Sequence, residues 1–198
     1  FNTSTKDKSV LDRSQRMAFA AATDNDNPVV IVQGPPGTGK TFILEKVLRH
    51  MCSQGLRVLA AAPSNTAIDN ICRRLHDCPV LRFGGNVNSM APDVAERCWV
   101  GNNKAVDRFV AGRKKMHGGI YAGTNVALLR DGIVTDDMKM NGPYDAVVFD
   151  EAGMLNMPEF LLCAGFGKRT VLFGDHRQLP PFPIPDDVFK RLESEYKI

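Results

Sequence analysis

The segment Gly34–Thr41 constrains the fold of this chain more than any other. It reads GPPGTGKT and lies between an apolar run, VVIVQ, and a stretch with helical spacing, TFILEKVLRHM. The pattern GxxxxGK[ST] between a strand and a helix is typical of a phosphate-binding loop. Its glycines let backbone N–H groups surround phosphates, and the helix N-terminus adds partial positive charge. A glycine-rich turn that binds nothing is disfavoured by this context, so the segment predicts a nucleoside triphosphate site.

The chemistry of such a loop assigns a role to each of its residues. The Lys40 ammonium reaches the β- and γ-phosphates, and the Thr41 hydroxyl ligates Mg²⁺. Mg²⁺ is therefore an expected cofactor beside the nucleotide. The remaining residues of the expected nucleotide site are Gly34, Pro35, Pro36, Gly37, Thr38 and Gly39.

The rest of the chain alternates strand-like and helix-like segments. Apolar runs without polar alternation favour strands buried on both faces of a parallel sheet. Helical spacing follows two of them, in residues 41–51 and 67–75, so an α/β fold with right-handed crossovers is expected. Residues 84–119 fit this rhythm least and predict a small insertion. The expected strands are Val29–Val32, Val58–Ala62, Val80–Phe83, Ile120–Ala122, Ala146–Phe149 and Thr170–Phe173.

Two carboxylates, Asp150 and Glu151, directly follow the expected strand Ala146–Phe149. Acidic residues at the carboxyl end of a buried strand lie where open α/β sheets bind ligands. Asp150 is expected to hold the Mg²⁺ complex, and Glu151 to orient and deprotonate an attacking water. The alternative is that they only favour a helix N-terminus. The phosphate loop in the same sheet favours the catalytic interpretation, and the pair favours hydrolysis over transfer to a substrate.

Composition limits the cellular setting and the partners. The chain has 198 residues, a net charge of +3 and five cysteines without a CxxC pair, which suits one domain in a reducing, intracellular compartment, cytoplasmic or nuclear. The charge permits a polyanionic partner without requiring one. No membrane association and no targeting segment are expected. A zinc site is disfavoured, because the spacing of Cys72, His76, Cys78 and Cys98 matches no common zinc finger.

Four segments resemble, in order, the helicase motifs I, Ia, II and III of superfamily 1. The resemblance is strongest to the superfamily 1B branch that includes the nonsense-mediated decay helicase, which moves 5′ to 3′. It implies an ATP-binding, RecA-like parallel sheet flanked by helices, with residues 84–119 as an inserted subdomain. The segments are GPPGTGKT, APSNTAIDN from residue 62, VVFDEAGM from residue 147 and GDHRQLPP from residue 174.

The resemblance also implies roles for residues outside the phosphate loop. Gln15, in LDRSQRMAF, corresponds to the adenine-reading residue, and Gln178 to the residue that senses the γ-phosphate on a turn fixed by Asp175. The residues implied to contact a nucleic-acid strand are Pro63, Ser64, Asn65 and Thr124.

Hydroxyl, amide and free N–H groups after a strand suit contacts to phosphate and sugar, which position a strand without reading its bases. The same residue types make ordinary helix N-caps, and both interpretations can hold. The run Arg113–Lys115 either attracts a nucleic-acid backbone or forms a solvated face. The segment DEAG departs from the family, which commonly has a small or polar residue where Gly153 stands, so a more flexible turn is expected there.

Residues 1–198 are expected to form the first RecA-like domain, with the second one, an expected partner from the same longer chain, absent. That second domain supplies arginines to the transferred phosphoryl group, so this chain alone is expected to hydrolyse ATP poorly. The resemblance implies movement on single-stranded nucleic acid, RNA or DNA. The alternative is a nucleotide-dependent switch or nucleic-acid-binding module that moves no strand.

Overall fold

The fold is a six-stranded parallel sheet, seen in a computed structural model that describes residues 11–84 and 86–178. The order of strands across the sheet is β1-β6-β5-β2-β4-β3, and every neighbouring pair is parallel. The expected fold class is confirmed. The strands are β1 Val29–Gln33, β2 Arg57–Ala62, β3 Val80–Arg82, β4 Gly119–Thr124, β5 Ala146–Phe149 and β6 Thr170–Gly174.

Helices connect the strands and cover both faces of the sheet. The expected helical stretches 41–51 and 67–75 correspond to α2 and α3. Short 3-10 turns lie at Val87–Ser89 and Ala152–Met154. The helices are α1 Arg13–Thr23, α2 Lys40–Ser53, α3 Asn65–Arg74, α4 Pro92–Cys98, α5 Asn103–Met116, α6 Asn125–Arg130, α7 Gly132–Asn141 and α8 Met157–Ala164.

The core has two apolar layers, one on each face of the sheet. Strand β5 shows the division: Ala146 and Val148 point into the layer formed with α1–α4, whereas Val147 and Phe149 point into the layer formed with α5–α8. All four are buried. The alternation follows from the two-residue period of a strand, and covering both faces explains why its sequence is apolar throughout.

The edge strand β1 departs from this pattern. Val30 and Val32 are buried against the α1–α4 layer, but Val29 and Ile31 are 57% and 75% exposed among the described residues. The expectation that the apolar runs mark strands covered on both faces is therefore wrong for β1. A continuous apolar run could not distinguish an edge strand from a central one.

Residues 84–119 form α4 and α5 and pack onto the β3–β4 end of the sheet. The indole N–H of Trp99 donates to the Gly84 carbonyl at 2.9 Å, and the Phe109 ring meets the Tyr121 ring edge-on at 5.3 Å. Arg113 donates to the Tyr121 hydroxyl at 2.6 Å, whereas the other two members of the basic run, at 114 and 115, are exposed. Across residues 11–84 and 86–178, no helix has the length and apolar character to cross a membrane.

Candidate nucleotide-binding site

The loop after β1 is shaped by backbone geometry that only glycine adopts easily. Gly37 and Gly39 have φ values of 79° and 86°, in the left-handed region. A Cβ atom on Gly39 would also lie 2.8 Å from Gln15 Nε2. The backbone N–H of Gly34 donates to the Gly174 carbonyl at 3.2 Å, which anchors the loop to the end of β6. Helix α2 begins directly after the loop, at Lys40.

The side chain of Lys40 folds over this loop. Its ammonium donates to the Gly34 carbonyl and, at 3.2 Å, to the Pro35 carbonyl. The Thr38 hydroxyl donates to the same Pro35 carbonyl at 2.7 Å. Carbonyl oxygens are neutral acceptors, so the positive charge of Lys40 remains available to an anionic ligand, for which a charge-assisted hydrogen bond is stronger.

Two cavities lie on opposite sides of the loop, and Lys40 lines both. The first, the α1 cavity, is about 290 Å³ and is lined also by Gln15, Ala18 and Val32. The second, the carboxylate cavity, is about 410 Å³. Beside the loop residues and Phe42, it is lined by Thr41, Arg74, Asp150, Glu151 and Gln178. The two cavities therefore border the same loop and share Lys40 as a lining residue.

Gln15 is held between α1 and the loop. Its side-chain carbonyl accepts from the Asp12 backbone N–H at 3.1 Å, while Asp12 Oδ1 accepts from the Gln15 backbone N–H at 2.8 Å. This capping box starts α1. The Gln15 amide also donates to the Thr38 carbonyl at 3.1 Å, so the residue implied to read adenine touches the loop and lines the α1 cavity.

Asp150 and Glu151 leave β5 into the carboxylate cavity. Asp150 donates its backbone N–H to the Ala61 carbonyl at 2.9 Å, and its Oδ1 accepts from the Glu151 backbone N–H at 2.9 Å. Glu151 has a φ of 52°, which is uncommon for a residue other than glycine and typical of functional sites. The tight turn directs both carboxylates into one cavity.

The surroundings shift the proton affinity of both carboxyls upward. Burial raises the pKa of the Asp150 carboxyl, while the backbone N–H of Glu151 and the positive charges of Lys40 and Arg74 oppose this. Burial also raises the pKa of the Glu151 carboxyl, and the charge of Asp150 adds to the effect. A raised pKa makes Glu151 a better proton acceptor at neutral pH.

The turn after β6 brings Gln178 to the same cavity. Asp175 is 4% exposed, and its Oδ1 accepts from the Arg177 backbone N–H at 3.0 Å. Its carbonyl accepts from the Gln178 backbone N–H at 3.1 Å, so Asp175 does hold the turn. Pro180 and Pro181, the last two residues of the motif GDHRQLPP, lie outside the described residues.

Gly153 connects the carboxylate turn to the turn after β6. A Cβ atom on Gly153 would lie 2.8 Å from the backbone oxygen of Asp175. The sequence indicated only a more flexible turn here, whereas the structure shows close backbone packing between the two segments. The turn that carries Gln178 and the turn that carries Glu151 are therefore in direct backbone contact.

The residues implied to contact a nucleic-acid strand lie next to this site. Strands β2 and β4 are neighbours, with Ala62 opposite Thr124. Ser64 Oγ accepts from the Ala67 backbone N–H at 3.1 Å and caps α3, while Thr124 Oγ1 accepts from the Ala127 backbone N–H at 3.3 Å and caps α6. Helices α3 and α6 therefore begin next to each other, at the carboxyl ends of β2 and β4. Pro63 links β2 to α3.

Sequence reasoning missed a buried network behind Asn65. Arg82 is fully buried, and it donates to Asn65 Oδ1 at 2.7 Å and to Asp69 Oδ1 at 3.2 Å. Because arginine offers only donors, the Asn65 carbonyl must face Arg82 and its NH₂ must turn outward. Asp69 Oδ2 accepts from the Ala91 backbone N–H at 2.7 Å, which ties the network to residues 84–119. The available signal was an arginine inside the apolar run VLRF.

The described residues give no support to a zinc centre. No group of three or more His, Cys, Asp or Glu side chains in residues 11–84 and 86–178 is arranged to hold a metal ion. Cys72 and Cys98 are buried, and Cys98 donates its thiol to the Val94 carbonyl at 3.3 Å. These two thiols belong to the α1–α4 core layer.

The parallel sheet, the glycine loop and the carboxylates at the strand exits define a P-loop nucleotide-binding domain. A family model described as "AAA domain" matches residues 10–115 and 132–185, and the chain belongs to this family.

Similar sequences include the DNA replication ATP-dependent helicase/nuclease DNA2 of Saccharomyces cerevisiae, 30% identical over 153 residues, which cover 76% of this chain and 10% of that protein. DNA2 of Bos taurus is 28% identical over 207 residues, covering 93% of this chain and 18% of that protein. The DNA-binding protein SMUBP-2 of Rattus norvegicus is 45% identical over 76 residues, covering 37% of this chain and 8% of that protein. The chain thus spans less than a fifth of the length of these relatives.

Among solved structures, the UvsW helicase of bacteriophage T4 matches with a TM-score of 0.57 at 10% identity, over 82% of this chain and 51% of that one. A nuclease-deletion mutant of the Type ISP restriction-modification enzyme LlaGI matches with a TM-score of 0.57 at 16% identity, over 83% of this chain and 17% of that one. At such low identity these matches show the fold alone. Together with the sequence relatives, they confirm the resemblance to the first RecA-like domain of superfamily 1 helicases.

Proposed function

We propose that this chain is the ATP-hydrolysing motor domain of a helicase or translocase that moves 5′ to 3′ on single-stranded nucleic acid. One observation carries the proposal: the phosphate loop, Asp150–Glu151, Gln178 and the capped helix starts at Ser64 and Thr124 all follow the carboxyl ends of adjacent strands. Open α/β sheets bind ligands at that edge. A site for ATP and a site for a strand would therefore share one rigid frame.

ATP fits the two cavities in one orientation. The base would lie in the α1 cavity beside Gln15, and the triphosphate would cross the loop, with backbone N–H groups of residues 34–39 and Lys40 around it. The γ-phosphate would then reach the carboxylate cavity. Thr41 and Asp150 line that cavity and offer hydroxyl and carboxylate oxygens, the ligand type that Mg²⁺ prefers.

The chain's own groups would carry out hydrolysis as follows. Thr41 and Asp150 would hold Mg²⁺, which would supply positive charge beside the bound triphosphate. Glu151 would accept a proton from the attacking water, which its raised pKa favours. Lys40 would balance charge that develops on the transferred phosphoryl group. Gln178 would contact the γ-phosphate, and its turn would pass the change to the neighbouring carboxylate turn.

A strand would lie over the starts of α3 and α6. Pro63, Ser64, Asn65 and Thr124 would contact phosphate and sugar, with the outward NH₂ of Asn65 as one donor. DNA is the favoured strand, since the named relatives are a DNA replication helicase/nuclease and a DNA-binding protein. A second RecA-like domain would complete the motor by supplying arginines, an effect worth about 10³–10⁵ in rate.

The test is Mg-ATP turnover by the natural polypeptide that contains these 198 residues, with and without single-stranded DNA or RNA. Strong stimulation by a strand, abolished by Glu151→Gln with ATP binding retained, is the expected result. Comparing the stimulation by single-stranded DNA with that by single-stranded RNA identifies the substrate. The 198-residue chain alone should hydrolyse ATP slowly. Turnover indifferent to either strand would instead establish a nucleotide-dependent switch that moves no strand.

A further inference from the structure

Arg74 is a positively charged residue in the carboxylate cavity to which the scheme above gives no role. It is the last residue of α3, and its side chain lines the cavity together with Lys40, Asp150 and Glu151. Its charge reaches the reactive carboxylates, because it opposes the rise in the pKa of Asp150. The helix that begins at the proposed strand contacts therefore ends at the proposed phosphate site.

The present ion pair of Arg74 is weak. Its Nη1 lies 3.5 Å from Glu45 Oε2, and its side chain is 47% exposed. The other oxygen of Glu45 already accepts from Arg49 Nε at 3.0 Å. A long ion pair with one half-exposed partner contributes little, so releasing Arg74 from a carboxylate that Arg49 still contacts costs little.

The position of Glu45 places the Arg74 guanidinium within reach of a bound triphosphate. Glu45 follows Thr41 by four residues on α2, so the two side chains lie one helical turn apart, with Cβ atoms about 5–6 Å from each other. A guanidinium beside Glu45 is therefore about one turn below the proposed magnesium ligand. A small rotation of a long, half-exposed side chain would bring it to the phosphates.

We propose that Arg74 binds the γ-phosphate of ATP, as a phosphate contact supplied by the first domain itself. The γ-phosphate is the chemically appropriate partner because the carboxylate cavity lies across the loop from Gln15. Arginine suits it, since its planar fork pairs with phosphate oxygens. The inference rests on the proposed ATP site, and it makes α3 one rigid element with strand contacts at its first turn and an ATP contact at its last residue.

The chain offers a matched control in the neighbouring Arg73. Its side chain is also 47% exposed and also forms an ion pair, but it donates to both carboxylate oxygens of Asp93 at 2.7 Å, at the start of α4. Arg73→Ala therefore removes the same charge from the same helix without removing a group from the carboxylate cavity.

The experiment measures equilibrium affinities for Mg-ATP and Mg-ADP by calorimetry, using the 198-residue chain with Glu151→Gln to prevent turnover. Arg74→Ala is expected to weaken Mg-ATP about 5- to 20-fold, the range for a partly exposed charge-assisted contact, and to leave Mg-ADP within about twofold. Arg74→Lys should retain part of the preference for ATP, and Arg73→Ala all of it.

Equal weakening of both nucleotides, or no weakening of either, would overturn the γ-phosphate contact. The outcome is separable from that of the proposed motor function. A loss of ATP preference in Arg74→Ala supports the contact even if no strand stimulates turnover. Conversely, strand-stimulated turnover with an unchanged ATP preference in Arg74→Ala removes the contact and leaves the motor intact.

Discussion

Glu151 shows how a single residue is prepared for proton transfer by its surroundings. Its left-handed backbone follows a buried strand, which turns the carboxylate into the cavity beside Asp150. The same position keeps it partly from water and close to a second negative charge. Both causes favour its protonated form, so the site holds a base whose ionised state is less stable than that of an exposed glutamate.

We predict that ATP turnover decreases as the pH is lowered. The decrease should begin at a pH above the ordinary glutamate pKa of about 4.5. The direction of this effect follows from the raised pKa. Only ionised Glu151 accepts a proton, and a raised pKa means that Glu151 becomes protonated at a higher pH than an exposed glutamate would. Turnover by the natural polypeptide, measured from about pH 4.5 to 8 at saturating Mg-ATP and strand, checks this. Mg-ATP affinity measured over the same range separates proton transfer from binding, and full activity down to pH 4.5 would contradict the assignment.

At this scale, the sequence predicted residues whose roles depend on neighbours in the chain. The loop, Thr41 and the Asp150–Glu151 pair each stand beside their own strand, and their shared location follows from parallel pairing alone. Arg74 and Arg82 could not be found in this way. Their partners lie at Glu45 and Asp69, on other elements, and only the packing of α3 against α2 and β3 brings each pair together.

Among the elements, α3 and α6 show that a helix start can have two uses. Their N-cap hydroxyls, on Ser64 and Thr124, already accept from their own helices. The remaining free N–H groups of each first turn point outward with the positive end of the helix dipole. The same residues therefore contribute to the stability of the fold and to the proposed strand binding. A substitution that tests one of these contributions must leave the other unchanged.

We predict that Ser64→Asp preserves stability and weakens strand binding. Aspartate caps a helix as well as serine does, but its negative charge lies where a phosphate would approach. Ser64→Ala should instead cost about 1 kcal/mol of stability by removing the cap. Urea unfolding and fluorescence anisotropy with a single-stranded DNA oligonucleotide measure the two effects. Undiminished binding by Ser64→Asp would leave Ser64 with the capping role alone.

The elements were predictable to the extent that burial made their pattern strong. Continuous apolar character predicted the four central strands, β2, β4, β5 and β6. Clear helical spacing predicted α2 and α3. Helices α1, α4 and α6–α8 were not predicted. Part of α8 is apolar on its open side, with Leu161 and Leu162 about 60% exposed, so its sequence lacks a simple amphipathic period.

For the whole molecule, the order of strands decides which residues meet. The exits of β1, β6, β5, β2 and β4 stand in sequence along one edge, so the loop, the Gln178 turn, the carboxylates and the capped helix starts follow in that order. Apolar runs alone fix no such order, because an apolar run does not show which strands are its neighbours in the sheet. The motif resemblance implied a RecA-like parallel sheet, and the order of its strands comes from the structure.

In this arrangement a bound nucleotide would bridge distant parts of the chain. Segments after β1, β5 and β6 line the cavities, and the Gly34–Gly174 hydrogen bond is one contact that joins them at this edge. In the free protein, burial raises the pKa of both the Asp150 and the Glu151 carboxyl, and the charge of Asp150 adds to the effect on Glu151. Their folded-state pKa values are raised, so the stability that they contribute in the protonated form is lost as pH rises through those values. Bound Mg²⁺ and phosphate would offset this.

We therefore predict that Mg-ATP at 100 times its dissociation constant stabilises the chain by about 2.7 kcal/mol. For a domain of this size the melting temperature should rise by roughly 5–11 °C. Lys40→Ala should melt close to the free wild-type chain, because in the described part of the chain the Lys40 ammonium donates only to carbonyls of the loop, but it should show little rise with Mg-ATP. Chelating Mg²⁺ should remove most of the rise in the wild type. If Lys40→Ala were stabilised as much as the wild type, the nucleotide would bind elsewhere, and the loop, the carboxylates and Arg74 would lose their common ligand.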